Sequence, residues 1–229
     1  VTRRERYGDR AAHIYGGVID PTLHSLRSTV THICREEGPT LVLDIACATG
    51  AQCHRLAQAG IRATGVDSSE SMIAAARRRG NTSADFILAS ALDLPFPDAS
   101  FGGVVLSLAL HEHPEDERAG MLREAVRVLE PDGFLLVADF ERPTHAAFHI
   151  PWAIVRLIET AAGPEHRAGF ADFVRQGSLA GLLVRHGLTC SRTARAVFGT
   201  IGIAVVRRPT EPSRGPGPID PTASNVLDL

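Results

Sequence analysis

Leu41-Val42-Leu43-Asp44-Ile45-Ala46-Cys47-Ala48-Thr49-Gly50 decides the fold. Four of its first five side chains are apolar and one, Asp44, is acidic, which suits a short strand buried in a sheet. A loop of very small side chains follows, and residues 51–58 carry a helix-like pattern. A strand, a tight small-residue loop and a helix let the backbone pass close beneath a bound nucleoside.

Outward from that run, apolar strand-like segments alternate with helical ones, which predicts an α/β fold with a mostly parallel sheet. The strands are predicted at residues 40–45, 62–66, 84–88, 101–107 and 134–140, the fifth preceded by a Pro131-Asp132-Gly133 turn. The continuous apolar run at 101–107 suits a central strand covered on both faces. Helices are expected at 70–79, with Ser68 or Ser69 as N-cap, and at 114–129, whose acidic start of Glu115, Asp116 and Glu117 suits the helix dipole. After Phe140 the pattern changes. An inserted amphipathic helix at 151–162, a helix at 179–186 closed by Gly187, and a strand pair at 190–197 and 200–206 follow. The expected organisation is one domain over 1–208, with a helical cover at 1–38 and a lid-like insertion at 141–178. The Pro- and Gly-rich stretch 209–229 is expected to be a disordered tail.

Composition sets bounds. A chain of 229 residues, 44% hydrophobic and 22% charged, can bury an ordinary core. A net charge of −2 argues against nucleic acid as a partner. No apolar run approaches the ~20 residues of a membrane span. The charged start Val1-Thr2-Arg3-Arg4-Glu5-Arg6 predicts no signal peptide, and hence a cytoplasmic enzyme. Monomer and homodimer both stay open. Cys34, Cys47, Cys53 and Cys190 form no CxxC pair and read as reduced thiols. Every basic side chain is arginine, and the absence of lysine excludes Schiff-base chemistry and a P-loop lysine.

Asp67, at the end of the second predicted strand, can accept both hydroxyls of a ribose, as nicotinamide enzymes also arrange. A dinucleotide fingerprint would need glycine near 46, 48 and 51, where alanine stands. Downstream lie Leu92-Asp93-Leu94-Pro95-Phe96-Pro97-Asp98-Ala99-Ser100-Phe101, then Leu110-His111-Glu112-His113-Pro114, then Leu129-Glu130-Pro131-Asp132-Gly133-Phe134-Leu135.

Taken with residues 41–50 and in this order, these segments resemble the class I S-adenosylmethionine-dependent methyltransferases, in the branch of quinone and phospholipid methyltransferases. The family patterns VLDLGCGTG, DLPFPDxSFD, LHHLP and LKPGGxL fall on them. The likeness runs over residues 7–133 and more weakly to 207. It implies a Rossmann-like class I methyltransferase sheet, mostly parallel with an antiparallel last strand, S-adenosylmethionine as cofactor and S-adenosylhomocysteine as product. The acceptor it implies is a small molecule.

The resemblance also carries roles. Asp44, Ala46, Cys47 and Gly50 would orient the methionine part of the cofactor, Asp67 with Ser68 the ribose, Ser90 and Ala91 the adenine, and Ser107 would lie beside the methyl group. The family has glycine at the positions of Ala46 and Ala48, an acidic residue at Ser90 and aspartate at Gly102. If Ala46 and Ala48 need positive φ, each costs on the order of 1 kcal/mol.

His111 and His113 follow the fourth strand, on the edge where open α/β sheets bind ligands, and are candidate bases. Tyr15 resembles the tyrosine that closes over the methyl site in this branch. Glu165-His166 and Asp20 are weaker candidates for lining the pocket. His111 and His113 stand at i, i+2 with no third ligand identifiable, and Cys47, Cys53 and His54 read as buried structural residues, so no metal is expected. The apolar stretch Phe148–Val155 favours an apolar or amphipathic acceptor. Two other readings are a non-catalytic binding protein of the same fold and a nicotinamide-dependent oxidoreductase.

Overall fold

The computed structural model describes residues 22–80, 83–143, 149–161 and 163–207. Tyr15, Asp20 and the expected tail at 209–229 lie outside these residues.

The chain enters on α1 (His24–Glu37), which lays Leu26, Val30, Ile33 and Cys34 on the core and ends at left-handed Gly38. Then come β1 (Leu41–Ile45), α2 (Ala51–Gln58), β2 (Arg62–Asp67), α3 (Glu70–Arg78) and β3 (Asp85–Leu88). Strand β4 (Phe101–Ser107) runs into a single 3-10 turn, Leu110–Glu112, followed by α4 (Glu115–Arg127) and β5 (Leu129–Phe140). Helices α5 (His149–Ala161), α6 (Pro164–Arg175) and α7 (Ser178–Arg185) precede β6 (Cys190–Ala196) and β7 (Ile201–Arg207).

The seven strands are ordered β3-β2-β1-β4-β5-β7-β6. Strands β1 to β5 pair in parallel, and β7 runs antiparallel to both β5 and β6. This is the expected Rossmann-like sheet. Strand order reverses between β1 and β4, so the crevice that binds ligands in such sheets opens above the carboxyl ends of these two strands. The predicted caps hold. Ser69 precedes α3 and its Oγ accepts the Met72 N–H at 3.3 Å, and Gly187, at φ 64°, follows the end of α7.

Two differences stand out. Strand β5 begins at Leu129 rather than Phe134, because Leu129 pairs with Phe101 and the Pro131–Gly133 turn becomes an irregularity within the strand. Helix α6 was not predicted. Pro164 at its first turn starts it, and Phe170 and Phe173 are buried beside His111, with Phe170 also against Phe140 at the end of β5.

Candidate functional site

The loop after β1 turns on three left-handed residues, Ala46 at φ 57°, Ala48 at φ 48° and Gly50 at φ 71°. The two alanines therefore do occupy the strained conformation that glycine relieves. Gly50 has a second reason to be glycine. A Cβ there would sit 2.5 Å from the Phe86 ring and 2.9 Å from Ala76 Cβ.

Two carboxylates flank this loop. Asp44 is buried in β1, where burial pushes its carboxyl up to about 7 and the Cys53 thiol, donating to Oδ2 at 3.4 Å, opposes that rise. Asp67 closes β2. Its Oδ2 accepts the Ala48 N–H at 2.8 Å and its Oδ1 the Ser69 N–H at 2.9 Å, and the Ser68 N–H also bonds the carboxylate. Burial raises Asp67 and these bonds lower it, the balance lying above the ordinary value.

Asp44, Ala46, Cys47, Ala48 and Ser107 share a cavity with Leu26, Arg27 and Gln52. The cavity measures about 30 Å³, and Leu26 and Arg27 of α1 form part of its wall. Ser68 is exposed. Ser90 follows β3 and spends a lone pair of its hydroxyl on the Leu92 N–H, with Ala91 half-buried beside it. The thiols of Cys47 and Cys53 are buried and pushed up by that burial, and His54 Nε2 lies 3.0 Å from the Ala76 carbonyl, away from both.

The two histidines after β4 diverge. His113 Nδ1 donates to Glu117 Oε2 at 2.6 Å on the first turn of α4. His111 turns inward and is 3% exposed. Its Nδ1 donates to Asp139 Oδ1 at 2.8 Å, which leaves Nε2 facing Glu159 Oε2 at 3.5 Å. Asp139 also accepts the N–H groups of Leu110, His111 and Phe140. Burial alone would lower His111, but Asp139 and Glu159 outweigh it and raise it to about 10. Burial would raise Glu159, but bonds from His111 and His166 overcome it and bring the carboxyl from an ordinary 4.5 down to about 2. His166 Nε2 bonds Glu159 Oε2, and its Nδ1 lies 3.7 Å from Glu112 Oε2.

Sequence reasoning missed Asp139 and Glu159. Asp139 carries a signal, an acid inside the otherwise apolar run of β5; Glu159 carries none. Also missed was the clamp that seats α6. Arg118, fully buried, bonds Leu110 O at 3.0 Å, Gly169 O at 2.9 Å and Asp172 Oδ2 at 3.1 Å, with its guanidinium 5.2 Å from the centre of the Phe173 ring.

Residues 42–133 match the family described as methyltransferase domain. A demethylmenaquinone methyltransferase of Corynebacterium glutamicum is 31% identical over 179 residues, covering 73% of this chain and 76% of that protein. One of Renibacterium salmoninarum is 39% identical over 107 residues, 47% of this chain and 44% of that protein. The chain spans about half the length of the curated relatives it matches, 44%, 42% and 60% for three of them. The crystal structure of a magnesium protoporphyrin IX methyltransferase from Synechocystis, with bound S-adenosylhomocysteine, shares the fold at a TM-score of 0.61, with 21% identity over 87% of this chain and 93% of that one. With its strand order, its loop after β1 and these relatives taken together, the chain belongs to the class I S-adenosylmethionine-dependent methyltransferase family.

Proposed function

We propose that this chain transfers a methyl group from S-adenosylmethionine to a small, apolar or amphipathic acceptor. The observation that carries the reading is the left-handed loop from Ala46 to Gly50 held between the carboxylates of Asp44 and Asp67. That donor set fits the cofactor. Asp44, ionised once an ammonium sits beside it, would pair with the methionine part, and the Asp67 carboxylate would accept from the ribose hydroxyls. Ser90 and Ala91 flank the adenine, Ser68 the ribose rim, and Ser107 the methyl end. When bound, S-adenosylmethionine supplies a sulfonium methyl that an acceptor lone pair takes by in-line displacement, with S-adenosylhomocysteine leaving. The protein contributes alignment and exclusion of water.

The acceptor side is built from α5 and α6, which act as the lid. Trp152 and Phe170 line a cavity of about 640 Å³ between these helices, ringed by Arg142, Arg156, Arg167 and Arg175. Phe170 also packs edge-on against His111, at 6.1 Å between ring centres, which ties this cavity to the carboxyl end of β4. Relatives named demethylmenaquinone methyltransferases make an apolar acceptor of that kind the first to try. His111 is the group placed to handle the acceptor's proton, with Asp139 fixing its tautomer. In the closed arrangement Nε2 faces Glu159 and the ring, raised to about 10, already carries its proton, so His111 takes one up only after α5 withdraws Glu159 and the ring gives up that proton.

One observation favours a second reading, a non-catalytic protein of this fold. The 30 Å³ cavity holds no more than about one water, far less than a methionine moiety, until α1 shifts. Calorimetric titration with S-adenosylhomocysteine, native chain against Asp67→Ala, decides. Micromolar binding lost in the variant is expected. Absence of binding to the native chain overturns the methyl-transfer reading, and saturable NAD(H) binding in its place would turn it to an oxidoreductase.

A further inference from the structure

Three side chains from three elements converge above β4. They are His111 in the 3-10 turn, Glu159 in α5 and His166 in α6. One ligand atom of each, two imidazole nitrogens and a carboxylate oxygen, lies within 4.8 Å of the other two. We propose that His111, Glu159 and His166 form a binding site for one divalent first-row transition-metal ion.

The donor chemistry suits it. Two imidazoles and one carboxylate are the ligand set of open zinc and non-haem iron sites. The spacing of one pair suits it as it stands, while His166 Nε2, in hydrogen-bond contact with Glu159 Oε2, would move back as an ion enters. Two donors about 2.1 Å from a shared ion, in tetrahedral geometry, lie roughly 3.4 Å apart. His111 Nε2 and Glu159 Oε2 are 3.5 Å apart. His111, moreover, is backed by a carboxylate hydrogen-bonded to its far nitrogen, and His166 has one nearby beyond hydrogen-bond distance. Asp139 Oδ1 takes the Nδ1–H of His111 at 2.8 Å, and Glu112 Oε2 lies 3.7 Å from Nδ1 of His166. Such outer carboxylates orient metal-binding histidines and raise their basicity. The surroundings complete the site. Phe140 meets His111 edge-on at 4.7 Å between ring centres, with Phe170 and Phe173 beyond, so the donors sit in an apolar shell.

An ion here would displace the proton from Nε2 of each histidine and stitch α5 and α6 to the carboxyl end of β4. Three protein ligands leave at least one coordination position for water or an oxygen ligand. Metal binding does not depend on the methyl-transfer reading, but an ion on Nε2 of His111 replaces proton uptake at that atom; use of the open position by an acceptor oxygen rests on that reading.

The test uses the full chain after treatment with chelator. Zn²⁺ is titrated by calorimetry and Co²⁺ by visible absorption, in the native chain and in Glu159→Gln and His166→Gln, with circular dichroism as the check on folding. One ion per chain is expected, with a Co²⁺ spectrum free of thiolate charge-transfer bands. Affinity should fall more than about 100-fold in either variant. No stoichiometric uptake by the native chain overturns the proposal, as does affinity unchanged in both variants. Thiolate bands would also overturn it, placing the ion at Cys47 and Cys53. The stoichiometry and spectrum of the native chain decide even if a variant fails to fold. S-adenosylhomocysteine binding, measured separately on the metal-free chain, tells failure of this site from failure of the methyl-transfer reading.

Discussion

A Cβ on Gly169 would lie 3.0 Å from the carbonyl oxygen of His111 and 2.7 Å from that of Glu112. Helix α6 therefore crosses the 3-10 turn at backbone contact, and only glycine permits the approach. This crossing sets His166 beside His111, at 5.4 Å between ring centres. Gly169→Ala should push α6 off the turn. We expect a loss of about 1–3 kcal/mol in urea unfolding, and larger amide-exchange rates confined to α5 and α6. An unchanged midpoint would contradict the contact.

Arg118 holds the same crossing by charge. Removing it takes a bond from Asp172 and from the carbonyls of Leu110 and Gly169, although Asp172 keeps Gln176 and Arg175 and Leu110 O keeps the His113 N–H. Arg118→Ala should cost about 1.5–3 kcal/mol, the range for losing hydrogen bonds to a charged group, because Asp172 is partly exposed and keeps other donors. Arg118→Lys should recover only part of it, since one ammonium cannot reach all three partners. Thermal melting of the two variants checks both statements.

Asp44 makes stability depend on pH. Its carboxyl is raised from 3.8 to about 7 in the folded chain, chiefly by burial. The folded state then binds more protons than the unfolded state across that window. Stability contributed by the protonated form is full below about pH 4, declines as pH rises, and is gone above about pH 7. Asp44→Asn removes the slope, so the variant should gain on the native chain by on the order of 3 kcal/mol more at pH 8 than at pH 4. The same substitution should weaken S-adenosylhomocysteine. Denaturant midpoints at the two pH values, together with a binding titration, test the pair.

Ala46→Gly and Ala48→Gly should each stabilise the chain by about 0.5–1 kcal/mol, because both alanines sit at positive φ. Chemical denaturation of each variant measures the gain. A loss at either position would show that the methyl group packs well enough to offset its backbone strain.

His113→Ala should leave activity within about twofold and cost under about 1 kcal/mol, as for other half-exposed i, i+4 pairs. Its ring is engaged by Glu117 at the start of α4. A large fall in turnover at constant stability would return His113 to the acceptor site.

What the sequence determined by itself is local. The β1 loop, the strand ends at Asp67 and Ser107 and the caps at Ser69 and Gly187 follow from hydrophobic period and turn chemistry within a few residues, and these appear in the fold at or near their expected positions. Gly50 was legible as a loop glycine, but the Phe86 ring that makes it obligatory lies 36 positions later, 86 minus 50. Only the tertiary structure decided the other half of the site. His111 and Asp139 are 28 positions apart in the chain, nothing in the sequence marks Glu159, and His166 is a weak candidate in a segment not predicted to be helical. The parallel sheet sets the carboxyl ends of β4 and β5 side by side, and Arg118 and Gly169 draw α6 across them. Convergence of this kind depends on how distant segments pack, and no periodicity within any one of them encodes it.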